Sequence, residues 1–419
     1  MKTYRSNTKK MIAAIIFLFI IASAFYCFYD NLIGFLKTSW LMTIGEVREP
    51  CTPEDRFRYL EQHPEEIRVA MIGNWDQLRR LGRPRQQVIL KAIADLNRAG
   101  GINGRRLIAE WMDTEGSADA LLEIVGKIAH DPSYYAVFGP NTSGQVLVMK
   151  PLLQTFRLMT IAPSVSNVHV TGKGDYPCIF LPNASDIQCV QAIVDWAKAE
   201  KLDKFILINE NQTFCMGYAR QVERMFYEQK VEICGRCYFM PGKNVRFFED
   251  ELQNYDDYFD FQNILLINYT TDERFYYDFI QRMLKNKTGK FYFYSIPKGY
   301  FTDEQLKRMY TLVYSSEEQM NKLNALFADI PNALTDSFSL SAYQSIFIFA
   351  DACRQAESLR QEVVLNVLQT RPMATPFGVF RFNLDRFTHN PTCRVISLFE
   401  LQQLHNSIHS DEKKSKTDK

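Results

Sequence analysis

What this sequence lacks is a charge of one sign. Its 419 residues carry 49 lysines and arginines against 48 aspartates and glutamates, so no cationic surplus exists to neutralise a run of phosphates, and a dedicated nucleic-acid binder is excluded. Long acidic or low-complexity tracts are missing too, which with 23% charged and 46% hydrophobic residues excludes intrinsic disorder over most of the length. The motifs of several enzyme classes are also absent. There is no G-x-x-x-x-G-K-[ST] phosphate loop, no G-x-S-x-G elbow, no H-E-x-x-H among the six histidines and no Asp-x-Asp metal–nucleotide site. Gly100-Gly101-Ile102-Asn103-Gly104 lies at a helix-to-strand turn and does not open a helix, so it is no dinucleotide fingerprint. The sequence therefore predicts no catalysis, no cofactor and no metal.

Long hydrophobic runs are nearly absent, with one exception. Residues 11–29, MIAAIIFLFIIASAFYCFY, follow Lys2, Arg5, Lys9 and Lys10 and precede Asp30. Nineteen residues of helix at ~1.5 Å rise reach ~28 Å, about a hydrocarbon core. The basic flank predicts a cytoplasmic tip (1–10), a signal-anchor (11–29) and an extracytoplasmic body. Two alternatives compete with the anchor: cleavage at Ala22-Ser23-Ala24, and lipidation at Cys27, which the bulky Tyr26 opposes. Residues 30–66 read as a juxtamembrane segment and polar linker, and 406–419 as a disordered tail.

Eight cysteines lie outside that span, an even number that permits disulfides without specifying any. Cys234-Gly-Arg-Cys237 has redox or zinc spacing, but VEICGRCYF reads as a strand, in which a separation of three sends the two thiols to opposite faces. Five Asn-x-Ser/Thr sequons (Asn141, Asn183, Asn211, Asn268, Asn286) bear on structure only in a eukaryotic secretory pathway.

From residue 67 the chain alternates apolar strand-length runs with helical patterns. IRVAMIG (67–73) reads as a strand; Ile89, Ala92, Ile93 and Leu96 then recur at i, i+3, i+4, i+7. Further strands are expected at 107–111, 135–139, 158–162, 204–209, 231–239, 263–268 and 290–294, with helices between them, one at 245–254. This is an α/β pattern of parallel sheets, too many strands for one sheet, and it predicts two doubly wound lobes with a ligand cleft at their strand ends. Two strand-to-helix loops are rich in hydroxyls, Gly139–Gln145 and Ala162–Asn167. Ser143 and Ser166 suit a carboxylate or similar anion. Their use as mere caps of helix or turn stands equally open.

Several segments together resemble a known family. LKAIADLNRAGGINGR (90–105), Asp113, VFGPNTSG (137–144), TIAPSVSN (160–167) and TPFGVFRFN (375–383), in that order, are similar to the type I periplasmic binding proteins, and most to the leucine/isoleucine/valine-binding proteins of ABC importers. The resemblance implies two lobes, 67–182 with 316–376 and 183–315 with 377–405, joined by three crossovers and closing on a small-molecule ligand. It implies that Ser143, Ser164 and Ser166 hold the ligand's main polar groups and that an aromatic, here Phe214, covers it. It further implies an ABC permease as partner. The sequence departs from the pattern where an acid should meet the ligand's ammonium: Ser295 stands there, with Tyr269 or Thr270 in the neighbouring loop. An acidic or aromatic-acid ligand without a free ammonium is therefore expected, with Asp186 and Glu210 as substitutes if the cleft is rearranged. A second departure is Trp75, a flat apolar surface, followed by Arg79, Arg80, Arg83 and Arg85, which offer forks for an anion or face solvent, partner or lipid. The expected function is an extracytoplasmic, membrane-tethered solute-binding protein for an amino acid, organic acid or amide. A sensor or envelope scaffold on the same fold, and a type II membrane glycosyltransferase, are the rival readings.

Overall fold

The computed structural model describes residues 49–75, 82–171, 178–239, 262–268, 273–296, 299–330, 338–388 and 393–404. The expected anchor 11–29, the tail 406–419 and the helix expected at 245–254 lie outside these residues. Among the described residues no helix is long and apolar enough to cross a membrane.

The segment 49–66, expected to be a linker, instead contains helix α1 (Pro53–Gln62), and the correction has a local cause. Thr52 and Asp55 form a capping box with a proline at the helix start, so the N-terminal amides are satisfied at once. α1 also inserts Arg56, a residue with no solvent exposure, whose guanidinium donates to the carbonyls of Asp131 (2.9 Å), Tyr134 (3.0 Å), Ile128 and Ala129 (both 3.3 Å).

Strand β1 (Glu66–Gly73) explains the first sheet. Ile67, Val69 and Met71 point into one apolar cluster while Ala70 and Ile72 point into another, the period-two split of a strand covered on both faces. Around it lie β2 (Arg106–Asp113), β3 (Tyr134–Phe138), β4 (Thr160–Ile161) and β5 (Ile179–Phe180), all parallel, in the order β2-β1-β3-β4-β5. Helix α2 (Gly82–Arg98) lays Val88, Ile89, Ala92, Ile93 and Leu96 on the first cluster, as the spacing predicts. It ends at Gly100 and Gly101, both with positive φ, and a Cβ at Gly101 would sit 2.0 Å from the Arg105 carbonyl oxygen. Helices α3 (Ala118–Ala129) and α4 (Ser143–Thr155) cover the other face. Arg56 therefore caps the C-terminus of α3, where carbonyls lack helical partners and a cation is favoured.

The second sheet is built the same way from α5 (Asp186–Ala199), β6 (Lys204–Glu210), α6 (Thr213–Glu228), β7 (Glu232–Phe239), β8 (Asn263–Ile267), α7 (Glu273–Asn286), β9 (Phe291–Phe293), α8 (Asp303–Leu306) and β10 (Met309–Val313). Phe205 and Leu207 face one core and Ile206 and Ile208 the other. In β7 the register slips between its pairings with Phe205 and Ile206, leaving Cys234 as the extra residue. The bulge cancels the expected alternation, and Cys234 and Cys237 both pack against the same cluster.

The chain then returns to the first lobe with α9 (Glu317–Leu326), the almost wholly buried α10 (Ser339–Gln355), α11 (Gln361–Thr370) and the hairpin β11 (Met373–Thr375) and β12 (Gly378–Phe380). Phe377, Phe380, Phe382 and Phe387 sit in first-lobe cores, so first-lobe packing runs past residue 376. β13 (Arg394–Ser397) closes the second sheet antiparallel to β10, giving the order β13-β10-β9-β8-β6-β7. Asn141, Asn183 and Asn268 are buried, while Asn211 is exposed.

Replacing Arg56 with alanine removes the donor shared by the Ile128 and Ala129 carbonyls at the end of α3 and the Asp131 and Tyr134 carbonyls beyond it, and a loss of about 2–4 kcal/mol in urea-unfolding stability is expected. An unchanged midpoint would refute the capping role.

Candidate functional site

The first lobe presents two strand ends. After β3 the chain turns through Gly139, whose φ is +99° and whose added Cβ would lie 2.0 Å from the Ile72 carbonyl oxygen. Asn141 then ties this loop to the first one, its Oδ1 accepting from the Asn74 amide at 3.0 Å. Thr142, not Ser143, is the N-cap of α4, accepting from the Gln145 amide at 3.3 Å. Capping is thus done by the neighbour, and Ser143 is a buried residue in the first turn of the helix. After β4, Ser164 is 8% and Ser166 1% exposed, and Ser166 Oγ is buried without a partner. Asn167 closes the turn by accepting from the His169 amide at 2.9 Å.

The second lobe meets these loops directly. A Cβ on Gly144, in the first turn of α4, would lie 3.6 Å from Thr213 Oγ1 at the start of α6; one on Gly217 would lie 2.8 Å from Asn167 Nδ2. The N-termini of α4 and α6 thus approach each other across the cleft, and at Gly217 only a residue without a side chain leaves room for Asn167. Gln212 makes no side-chain cap on α6; its Nε2 donates to Glu210 Oε1 at 2.5 Å instead. Phe214 is half-buried and packs against Tyr294 (4.8 Å between centroids) and Tyr218 (5.6 Å). The phenols of Tyr218, Tyr292, Tyr294 and Tyr314 are buried beside one another, and burial lifts each above the usual tyrosine range.

Asp186 opens α5 at the lobe junction. Its amide donates to the Ser166 carbonyl at 2.8 Å, it is 1% exposed, and its Oδ1 has no hydrogen-bond partner. Burial pushes its carboxyl from 3.8 up to about 7, and the neighbouring Ser166 side chain only partly offsets this. The residue looks ordinary in sequence, an acid following a capping Ser185 at the first position of a helix, and this is why reasoning from the sequence kept it in reserve.

The other expected site residues divide. Ser295 Oγ donates to the Asn268 carbonyl at 2.9 Å, so it belongs to a loop-to-loop tie in the second lobe. Tyr269 and the side chain of Arg83 lie outside the described residues, as do Arg79 and Arg80. Trp75 does not stand open as a platform. It is 7% exposed in the first-lobe core, edge-on to Trp111 at 4.9 Å and so close to Gly73 that a Cβ there would fall 2.6 Å from the ring. Arg85 is likewise buried, its guanidinium 4.9 Å over the Phe338 ring. Among the described residues no cluster of three or more histidine, cysteine or acidic side chains could hold a metal.

Solved structures with this arrangement are known. The branched-chain amino acid transporter substrate-binding protein LivJ from Streptococcus pneumoniae, in complex with isoleucine, superposes with a TM-score of 0.63 at 21% identity, covering 79% of this chain and 99% of its own. The fold is that of the type I periplasmic binding proteins. A family model described as periplasmic binding protein matches residues 80–245. An ABC transporter substrate-binding protein from Desulfitobacterium hafniense, in complex with leucine, gives 0.63 at 14% identity, covering 79% and 97% of the two chains. The leucine-binding protein LivK from Thermotoga maritima gives 0.63 at 14%, covering 78% and 94%. No curated protein matches the sequence. The periplasmic binding proteins are extracytoplasmic binders, not catalysts.

The Asp186 carboxyl gives a pH signature. The folded free protein holds a proton there up to about pH 7, whereas the unfolded chain releases it near 3.8, so this group's stabilisation is full below pH 4 and is lost as pH rises to 7. The loss amounts to at most about 4 kcal/mol. In urea unfolding of the free protein at pH 5 and pH 8, Asp186→Asn is expected to gain stability relative to the parent between the two. Parallel pH profiles would refute the assignment.

Proposed function

We propose that this chain is an extracytoplasmic solute-binding protein of an amino-acid-type ABC importer, held at the membrane by residues 11–29 and closing its two lobes over an α-amino acid. The reading is carried by Asp186, a buried carboxyl with an unpartnered oxygen, set beside the unpartnered hydroxyl of Ser166 where the lobes meet. A ligand ammonium placed there would give the carboxylate the cation that burial withholds. The hydroxyls of Ser143, at the start of α4, and Ser164, in the loop after β4, suit the ligand carboxylate. The ammonium-free ligand expected from Ser295 loses its premise, because an acid is available on the junction side of the cleft. The structural likeness to proteins solved with leucine and isoleucine supports the choice of class.

The alternative, a sensor or scaffold on the same fold, would recognise a partner through the apposed lobes, which approach each other at Gly144–Thr213 and Gly217–Asn167. Calorimetry on the full chain in detergent separates the readings. With leucine, 4-methylpentanoate and isoamylamine as probes, leucine is expected to bind in the micromolar range and each truncated probe at least about tenfold more weakly, and Asp186→Asn should weaken leucine far more than 4-methylpentanoate. 4-Methylpentanoate binding as tightly as leucine would overturn the ammonium site, and heat from none of the three would favour the scaffold.

A further inference from the structure

The three passages between the lobes converge on one sulfur. Cys189, one turn into α5, has its Sγ 4.0 Å from the carbonyl of Ala184 in the first crossover and 3.7 Å from the hydroxyl of Tyr314 in the second. Its third neighbour is the side chain of Cys393, at the end of the third crossover. Cys393 is half-buried and packs on the same second-lobe core that contains Cys189. α5 and β13 pack directly together, which holds the two positions in register. Both cysteines are thiols in this structure.

Among the described residues the third crossover is fastened by backbone and amide hydrogen bonds and by the packing of Phe387 in the first lobe. Leu181 donates its amide to the Arg386 carbonyl (2.9 Å), Thr388 to the Asn183 carbonyl (3.1 Å), and Gln188 Nε2 to the Thr388 carbonyl (3.0 Å). Any opening of the lobes has to flex these strands together, so a covalent link at their shared end would bear on the hinge itself.

We propose that Cys189 and Cys393 are a redox pair whose disulfide clamps the first crossover to the third. The oxidant is a disulfide of the thiol–disulfide oxidoreductase or glutathione class. Cys393, the more accessible of the two, attacks it as thiolate, forming a mixed disulfide and releasing one oxidant thiol. Cys189 then loses its proton and attacks the Cys393 sulfur, expelling the second oxidant thiolate, which takes up a proton. Two protein thiols become one disulfide and the oxidant's disulfide becomes two thiols. Burial keeps the Cys189 thiol well above its usual range, so the second step is the slow one. The extracytoplasmic placement proposed above is needed only to supply the oxidant in the cell; the bond itself is independent of any ligand.

The test uses the full chain equilibrated with oxidised or reduced glutathione, then alkylated and digested without reduction. A peptide linked through Cys189 and Cys393 is expected in the oxidised sample alone. Hydrogen exchange at Phe387 and Thr388 should slow about tenfold on oxidation in the parent and not at all in Cys393→Ser. Alkylation of both cysteines after oxidation, or a link from Cys189 to Cys215, overturns the pair. A linked peptide with unchanged exchange overturns the clamp.

Discussion

Two short strands with no sheet of their own hold the described lobes to each other. Leu181–Asn183 leaves the first lobe and Arg386–Thr388 returns from it, and the two run side by side with hydrogen bonds from Leu181 to Arg386 and from Thr388 to Asn183. Each sheet has its own cores on both faces and needs nothing from the other. This pairing lies beside the junction at which the end of β4 meets the start of α5 and Asp186 bonds to Ser166. Phe387, packed in a first-lobe core, anchors the returning strand just before it crosses.

The chemistry of the cleft follows from which polar groups that frame leaves unsatisfied. Most buried polar groups find partners, and the structural duties in these loops fall to Thr142, Asn141 and Asn167. Ser166 Oγ and Asp186 Oδ1 are left without partners in a place where water is largely excluded. A carboxyl buried in this setting keeps its proton up to about pH 7, well above the usual carboxylate range.

Much of the fold was legible in the sequence because both sheets are parallel and covered. Strands such as IRVAMIG and KFILINE are continuous apolar runs, and helices such as α2 carry a clear apolar stripe, so periodicity locates them. The very short β4, β5 and β9 are legible only from their neighbours, since two or three residues hold no period. α1 was missed because its sequence is polar; its burial rests on one arginine reaching carbonyls supplied by residues about 75 positions away. Of the candidate site, the hydroxyl-rich loops are legible through their loop chemistry. Trp75 was misjudged because nothing in GNW announces that the glycine exists to let the indole fold back over it. The bulge at Cys234 is invisible to any rule that assumes strict alternation.

The buried asparagines constrain how this chain can be made. Glycan transfer acts on the emerging, unfolded polypeptide, where Asn141, Asn183 and Asn268 are all open acceptors, yet in the folded molecule each lies within the protein with no room for a sugar. Asn183 is the severest case, because its carbonyl receives the Thr388 amide in the pairing of the crossovers. A sugar attached there before folding would hold the two strands apart and leave two finished half-molecules unable to meet. The fold is thus matched to a biosynthetic route that does not read these triplets, and secretion through one that does would yield a correctly built but permanently unhinged protein.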